Sequence, residues 1–211
     1  MSDVVRELPM FPLGSVLVPH SVLPLHVFEP RYRALVDAVL AADRRFGVVL
    51  IERGHEVGGG DTRFGVGTVA EVVRAERFPD GRVALATVGV ERFDVVEWLP
   101  DDPFPRARVA LRPETAGDGD PSATIASLDG VRERLVVVHD LRARLGLPAL
   151  TGDVALSPDP EHGSWEALAL APLGPLDVQA LLAIDAAADR LAALAAALDA
   201  EIDVCRFRLG G

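Results

Sequence analysis

The polar residues best placed to act on a ligand lie together near the start of the chain, at Glu29, Arg31 and Tyr32. A carboxylate, a guanidinium and a phenol supply both hydrogen-bond acceptors and donors, so this group could form the rim of a ligand site. The same residues also fit a structural role, in which Glu29 forms a partly buried ion pair with Arg31 or Arg92 and joins a helix to a sheet. Both interpretations stay open, and a substitution here would damage folding under either, because breaking a buried pair costs about 3–5 kcal/mol.

Metal binding and nucleophilic catalysis have little support. The histidines (His20, His26, His55, His139 and His162) are scattered along the chain, so we predict neither a metal site nor a cofactor. No G-x-S-x-G motif marks a serine nucleophile. The single cysteine, Cys205, falls on the apolar stripe of the last predicted helix, which favours a core residue over a reactive thiol.

The absence of lysine excludes several enzyme classes, since all 21 basic residues are arginine. A Walker A loop needs a lysine on the nucleotide phosphates. A Ser–Lys dyad needs lysine as its base, and a Schiff-base enzyme needs a lysine amine. We therefore expect no catalytic residues and no enzymatic activity in these 211 residues.

One segment matches a nucleotide-binding fingerprint by sequence alone. Residues 65–70 read G-x-G-x-x-A, the pattern of a dinucleotide-binding turn. That turn must open a helix whose N–H groups meet the pyrophosphate, whereas a β-branched run follows here. The segment is therefore predicted to be a strand that contains glycines.

The charge distribution makes the chain a poor candidate for nucleic-acid binding. The net charge is −11, and residues 1–113 are nearly neutral, with 14 arginines against 16 acids. Nucleic-acid affinity depends mainly on basic side chains that neutralise phosphates. One alternative stays open, an arginine patch that would bind RNA or a small molecule, formed by Arg44, Arg45, Arg53, Arg63, Arg74 and Arg77.

The first half of the chain reads as strands and turns. Five prolines between residues 9 and 30 divide an apolar stretch into extended pieces, and a helix follows over residues 31–40. Further strands are predicted at residues 46–51, 66–73, 83–90, 93–98 and 106–111, which gives about six strands. Pro79, Asp80 and Gly81 supply the turn of a hairpin.

The second half reads as helices after a breaker-rich joint at residues 113–121. Ser122 is predicted to cap a helix that runs to about residue 145, with a bend or break at Gly130. Ser164 is predicted to cap a short helix, and residues 177–184 form another. Asp185 caps the last helix, whose core face carries Leu191, Leu194, Leu198, Ile202 and Cys205.

Several short segments together resemble one known family, the substrate-binding domain at the N-terminus of Lon-type ATP-dependent proteases. They are Leu8–Leu13, Leu23–Leu25, Phe28–Tyr32, Val66–Val72, Gly89–Phe93, Asp177–Leu182 and Ala188–Leu191. The resemblance implies an α+β fold, with a PUA-like β-rich pseudo-barrel over residues 1–115 and a helical subdomain over residues 116–211.

The resemblance also implies a function. We expect a stand-alone, non-enzymatic module, bacterial and cytoplasmic, that recognises polypeptide and presents it to a partner protease or another effector. The acidic first residues and the lack of a long uncharged apolar span argue against a signal peptide and a membrane segment. No oligomeric state is predicted. The ligand groove is expected between the two halves, near His26, Phe28, Glu29, Arg31, Tyr32, Arg92, Trp98 and Trp165.

Overall fold

The computed structural model describes residues 5–53, 62–115 and 120–210. The chain forms two compact units, Met1–Pro113 and Glu114–Gly211, so the division falls two residues before the predicted one. His55 and residues 116–119 of the predicted joint lie outside the described residues. A strand-rich first unit and a helical second unit confirm the predicted α+β fold.

The first unit contains six strands and one helix. These are β1 (Val5–Leu13), β2 (Val22–Val27), α1 (Pro30–Ala41), β3 (Arg45–Arg53), β4 (Thr62–Arg77), β5 (Val83–Leu99) and β6 (Arg106–Arg112). The sheet order is β2-β5-β4-β3-β1-β6, and β6 also pairs with β5. Five strands therefore close into a barrel, and β2 is added at its side. The β1–β3 pair is parallel and the other pairs are antiparallel.

The length of β5 makes this closure possible. Its first part, from Val83 to Val88, pairs with β2, and its second part, from Arg92 to Leu99, pairs with β6. The prediction of two separate strands over residues 83–98 was therefore wrong. Gly89 lies between these two parts, and a side chain is excluded there, because a Cβ atom would lie 2.3 Å from the Val18 carbonyl oxygen.

The barrel interior is filled by side chains that alternate with those of the outer face. Residues 8 and 10 of β1 point inward, whereas residues 11 and 13 pack outward in the cluster beneath α1. The inner cluster is formed by Leu8, Met10, Val49, Val69, Phe93, Ala107 and Val109. Gly67 makes room for the Phe93 ring, since a Cβ atom at Gly67 would lie 2.6 Å from Phe93 Cζ. Gly67 is thus part of a strand, as predicted, and its role is to pack the barrel.

Helix α1 and the β4–β5 hairpin follow the sequence pattern closely. The helix buries Tyr32, Leu35, Val36 and Val39, the face that the spacing predicts, and begins one residue earlier than expected, at Pro30. Phe78 and Arg82 close the predicted turn through a backbone hydrogen bond of 2.9 Å.

The second unit contains four helices, α2 (Pro121–Arg144), α3 (Pro160–Leu170), α4 (Pro175–Leu182) and α5 (Ala187–Gly210). The predicted serine caps were wrong: Asp120 and Asp159 cap α2 and α3, and each accepts a backbone N–H with its side chain. Of the bend or break predicted at Gly130, the break is absent, because α2 continues through that residue. The predicted core face of α5 is buried. Among the described residues, no helix has an apolar stretch long enough to cross a bilayer.

Candidate functional site: a pocket between two strands that do not pair

A pocket of about 170 Å³ lies in the first unit where β1, β2 and the start of α1 meet. Strands β1 and β2 both contribute to it but do not pair with each other. Its lining consists of Phe11, Leu13, Pro24, Leu25, His26, Val27, Phe28, Glu29 and Tyr32. The fold therefore places a cavity at the one side of the barrel where β2 stands apart from β1.

The floor of the pocket is apolar and rigid. The rings of Phe11 and Tyr32 are stacked, with centroids 4.2 Å apart and planes 14° from parallel. Both rings are buried, as are Leu25 and Val27 of β2. The floor residues belong to the hydrophobic cluster beneath α1, so packing on several sides fixes their positions.

The rim of the pocket, defined here as His26, Phe28, Glu29 and Arg31, combines an exposed ring with an internal ion pair. Phe28 has 58% of its surface exposed. Arg31 Nε donates to Glu29 Oε2 at 3.0 Å, and the Arg31 guanidinium lies 4.4 Å from the centroid of the Tyr32 ring. Glu29 thus pairs with Arg31, the first of its two predicted partners. Because the two charges offset each other, the rim presents little net charge to a ligand.

The structure brings together five of the predicted site residues and places the other three elsewhere. His26, Phe28, Glu29 and Tyr32 line the pocket, and Arg31 joins them through Glu29. The remaining three are Arg92, Trp98 and Trp165. Arg92 is a buried residue of β5 with 1% of its surface exposed. Trp98 packs against the inner barrel cluster, with the Arg63 guanidinium 4.5 Å from its ring centroid.

Trp165 belongs to a buried cluster in the second unit that the sequence reasoning missed. The Arg190 guanidinium lies 3.4 Å from the Trp165 ring centroid. Arg190 also donates to Ser164 Oγ at 3.0 Å, to the Ile184 carbonyl at 2.9 Å and to Glu114 Oε2 at 3.4 Å. The side chain is completely buried, so its role is to join α3, α5 and the segment before α2. The only sequence signal was an arginine next to the apolar stripe of α5.

The arginines of the alternative RNA patch are largely engaged with acids. Arg45 lies 2.8 Å from Glu71, and Arg63 lies 3.6 Å from Asp101. Arg74 and Arg77 form ion pairs with Glu76 and Asp37. Carboxylates beside the guanidinium groups reduce the positive potential that a phosphate backbone needs.

The histidines of the described residues form no metal centre. Both ring nitrogens of the buried His139 are occupied, one by the Leu170 carbonyl at 2.9 Å and the other by the Leu150 N–H at 3.3 Å. His162 lies 3.3 Å from Glu166, a helical pair that the sequence reasoning overlooked. No group of three histidine, cysteine or acidic side chains within the described ranges could hold a metal ion.

Comparisons with known proteins agree with this architecture. Lon protease 2 of Herpetosiphon aurantiacus is 32% identical over 205 residues, which cover 94% of this chain and 24% of that protein. Lon protease of Trichlorobacter lovleyi is 31% identical over 139 residues, covering 64% of this chain and 16% of that protein. The chain thus spans about a quarter or less of these relatives.

Solved structures show the same fold. The crystal structure of a Lon N-terminal domain protein from Xanthomonas campestris has a TM-score of 0.64 and 26% identity, covering 90% of this chain and 98% of that one. The N-terminal domain of a Mycobacterium avium complex Lon protease has a TM-score of 0.60 at 15% identity, covering 92% and 98%. The family profile of the ATP-dependent protease La (LON) substrate-binding domain matches residues 7–200. The chain belongs to this substrate-binding domain family.

Proposed function

We propose that the chain is a non-enzymatic polypeptide-recognition module whose pocket between β1 and β2 holds one apolar side chain of the bound segment. The observation that carries this proposal is the size and lining of the pocket, about 170 Å³ with a stacked aromatic floor. The relatives are named as Lon proteases, and this chain matches about a quarter of the length of one of them. The bound segment would accordingly be destined for a protease, on the same or a separate chain, or for another effector.

The volume favours a side chain over a free small molecule. Pockets for drug-sized ligands and cofactors usually measure about 300–1,000 Å³. An apolar cavity of about 150 Å³, by contrast, holds a benzene molecule. A pocket of about 170 Å³ therefore matches a single phenylalanine or leucine side chain. This comparison argues against a drug-sized ligand or a cofactor in this pocket.

The electrostatics favour an uncharged binding group. The floor presents Phe11, Leu25 and Tyr32, none of which carries a charge at neutral pH. The charged rim residues Glu29 and Arg31 are already paired at 3.0 Å. A charged side chain in the pocket would lose its hydration without gaining a partner, which is unfavourable.

A peptide series tests the proposal directly. The probe is a fluorescein-labelled peptide of nine residues, Gly-Ser-Thr-Val-X-Val-Thr-Ser-Gly, in which X is Phe, Leu, Ala or Asp. We expect saturable binding in the order Phe, Leu, Ala, Asp, with little change between 50 and 500 mM salt, because the contact is apolar. A short single-stranded RNA measured under the same conditions should not bind.

Two exposed phenylalanines provide a variant and its matched control. Phe28→Ala removes the ring from the rim, and Phe207→Ala removes a ring of α5 that is 84% exposed. Both changes are at the surface, so stability should change by less than about 0.5 kcal/mol. Truncation of a side chain that contributes strongly to an interface costs about 1 kcal/mol or more, and 1 kcal/mol is about fivefold in Kd. Phe28→Ala should thus weaken binding about fivefold and Phe207→Ala should leave it unchanged. Equal binding by both variants, or salt-sensitive RNA binding without peptide binding, would contradict the proposal.

A further inference from the structure

We infer that the free edge of β2 pairs with the backbone of an extended polypeptide, so that the bound segment becomes an additional strand of the sheet. This inference rests on the proposed function, because it specifies how the peptide that fills the pocket is held. The free edge is defined here as the side of β2 (Val22–Val27) that faces away from β5.

The hydrogen-bonding direction of β2 follows from its pairing. Gly89 N donates to the Ser21 carbonyl at 3.0 Å, so that carbonyl faces β5. Backbone groups in an antiparallel ladder alternate between facing the partner strand and facing away from it. The groups of Leu23, Leu25 and Val27 therefore face β5, and the Thr87 hydroxyl donates to the Leu23 carbonyl at 2.8 Å in agreement. The groups of Val22, Pro24 and His26 face the free edge.

The free edge offers a specific set of donors and acceptors. Val22 and His26 each provide an N–H and a carbonyl, whereas Pro24 provides a carbonyl only. Within the ranges that the structure describes, β2 has no neighbouring strand on this side. All three residues are solvent-exposed. Pro24 itself fits this assignment, because proline in a sheet is confined to positions whose missing N–H would face outward.

The pocket and the free edge are formed by the same residues. Pro24, Leu25, His26 and Val27 all line the pocket, which also reaches Phe11 of β1. A strand laid along β2 would place every second side chain on the same face of the sheet. One such side chain could enter the pocket while the backbone pairs with Val22 and His26. The occupant that fits both features is an extended segment with an apolar residue and with free backbone N–H groups, which is how strand addition recognises peptides.

A proline substitution tests the backbone pairing separately from the side chains. His26→Pro removes the outward N–H, and His26→Ala removes the same imidazole but keeps that N–H. Neither change removes a β2–β5 hydrogen bond, so both variants should retain the wild-type circular dichroism spectrum. A net hydrogen bond contributes about 0.5–1.5 kcal/mol. We therefore expect His26→Pro to bind the phenylalanine probe peptide about three- to tenfold more weakly than His26→Ala.

A second measurement uses the unmodified protein, in case His26→Pro does not fold. The probe peptide is N-methylated at each position in turn, which blocks one backbone donor at a time. Binding should fall at alternate positions only, by about three- to tenfold. A series without alternation, or equal binding by the two His26 variants, would overturn the inference while leaving peptide recognition intact. Failure of every probe peptide to bind the wild-type protein would instead overturn the proposed function. A third outcome is that the wild-type protein binds no peptide but forms a dimer, and that His26→Pro abolishes this dimer. That result would assign the free edge to a second copy of the chain and would also overturn the inference.

Discussion

Two glycines of β4, separated by one residue, are expected to respond very differently to the same substitution. A Cβ atom at Gly67 would lie 2.4 Å from the Val48 carbonyl oxygen, 2.6 Å from Phe93 Cζ and 2.7 Å from Val49 Cγ1. At Gly65 a Cβ atom would meet nothing within 4 Å. Alanine at Gly67 must therefore displace a backbone carbonyl and a fully buried ring, whereas alanine at Gly65 enters open space.

The magnitude of the effect follows from the cost of overpacking. Adding a methyl group to a well-packed core typically costs about 1–3 kcal/mol. For a chain of 150–250 residues, each kcal/mol lowers the melting temperature by about 2–4 °C. Gly67→Ala should consequently lower the melting temperature by about 2–12 °C. Gly65→Ala should change the free energy of unfolding by less than about 0.5 kcal/mol, or increase it slightly through the loss of unfolded-state entropy.

Urea unfolding monitored by circular dichroism measures both variants, and hydrogen exchange locates the effect. Faster exchange in β3, β4 and β5 of Gly67→Ala, with wild-type exchange in the second unit, would show that the damage begins in the barrel. Equal stability of Gly65→Ala and Gly67→Ala would refute the assignment of Gly67 to the barrel interior.

The remaining predictions concern two buried residues of the second unit, Arg190 and Cys205. Arg190→Met should lower the free energy of unfolding by about 3–5 kcal/mol in urea titrations, because it removes a completely buried guanidinium and its hydrogen bonds to Glu114, Ser164 Oγ and the Ile184 carbonyl. A loss below about 1 kcal/mol would contradict the role assigned to Arg190. Burial raises the pKa of the Cys205 thiol, so native protein at pH 8 should react with a thiol reagent at least about tenfold more slowly than urea-unfolded protein. The Cys205 thiol keeps its proton to higher pH in the native protein than in the unfolded protein. The free energy of unfolding should therefore fall as the pH rises past about 9, where the unfolded thiol loses its proton. Cys205→Ala should remove this pH dependence.

Sequence patterning predicted most elements of the first unit because its signals are local. The apolar spacing in residues 31–40 identified the buried face of α1, and the Pro79–Gly81 turn identified the β4–β5 hairpin. The barrel closure was not predictable from periodicity, because it depends on one strand changing partners at Gly89. The change of partner depends on strands that are far away in the sequence. The only local sign of it is that Gly89, Glu91 and Arg92 interrupt a β-branched run.

The prolines were the signal most easily misread. A proline usually indicates that a helix has ended, yet α1, α2, α3 and α4 each begin at a proline. The first residue of a helix does not need its N–H, and the fixed φ of proline suits that position. The acidic residue before Pro121 and Pro160 then acts as the cap, which explains why Asp120 and Asp159, rather than the nearby serines, hold the helix starts.

The residues of the candidate site that are neighbours in sequence were predictable. The residues that reach the site only through tertiary packing were not. His26 to Tyr32 lie on one continuous segment, so the end of β2 and the start of α1 bring them together. Phe11 joins them only because β1 packs against α1, a contact with no signature in the sequence. The tryptophans were chosen for their residue type alone, and Trp165 proved to pack against Arg190 instead.

Barrel closure and the proposed peptide binding are linked through the strand edges. An exposed edge carries unpaired N–H and carbonyl groups and invites pairing with another chain, so proteins usually protect their edges. Here the second part of β5 pairs with β6 and closes the barrel. The first part of β5 pairs with β2, which lies outside the closed ring. Among the described strands, β2 is the one that pairs with a single neighbouring strand. Its internal proline, Pro24, lacks a backbone N–H, but the N–H groups of Val22 and His26 remain at the free edge. The same arrangement separates β2 from β1 and so opens the pocket beside that edge. A pocket of side-chain size with an apolar floor lies beside this unpaired edge, and this coincidence is the reason to expect a peptide strand there.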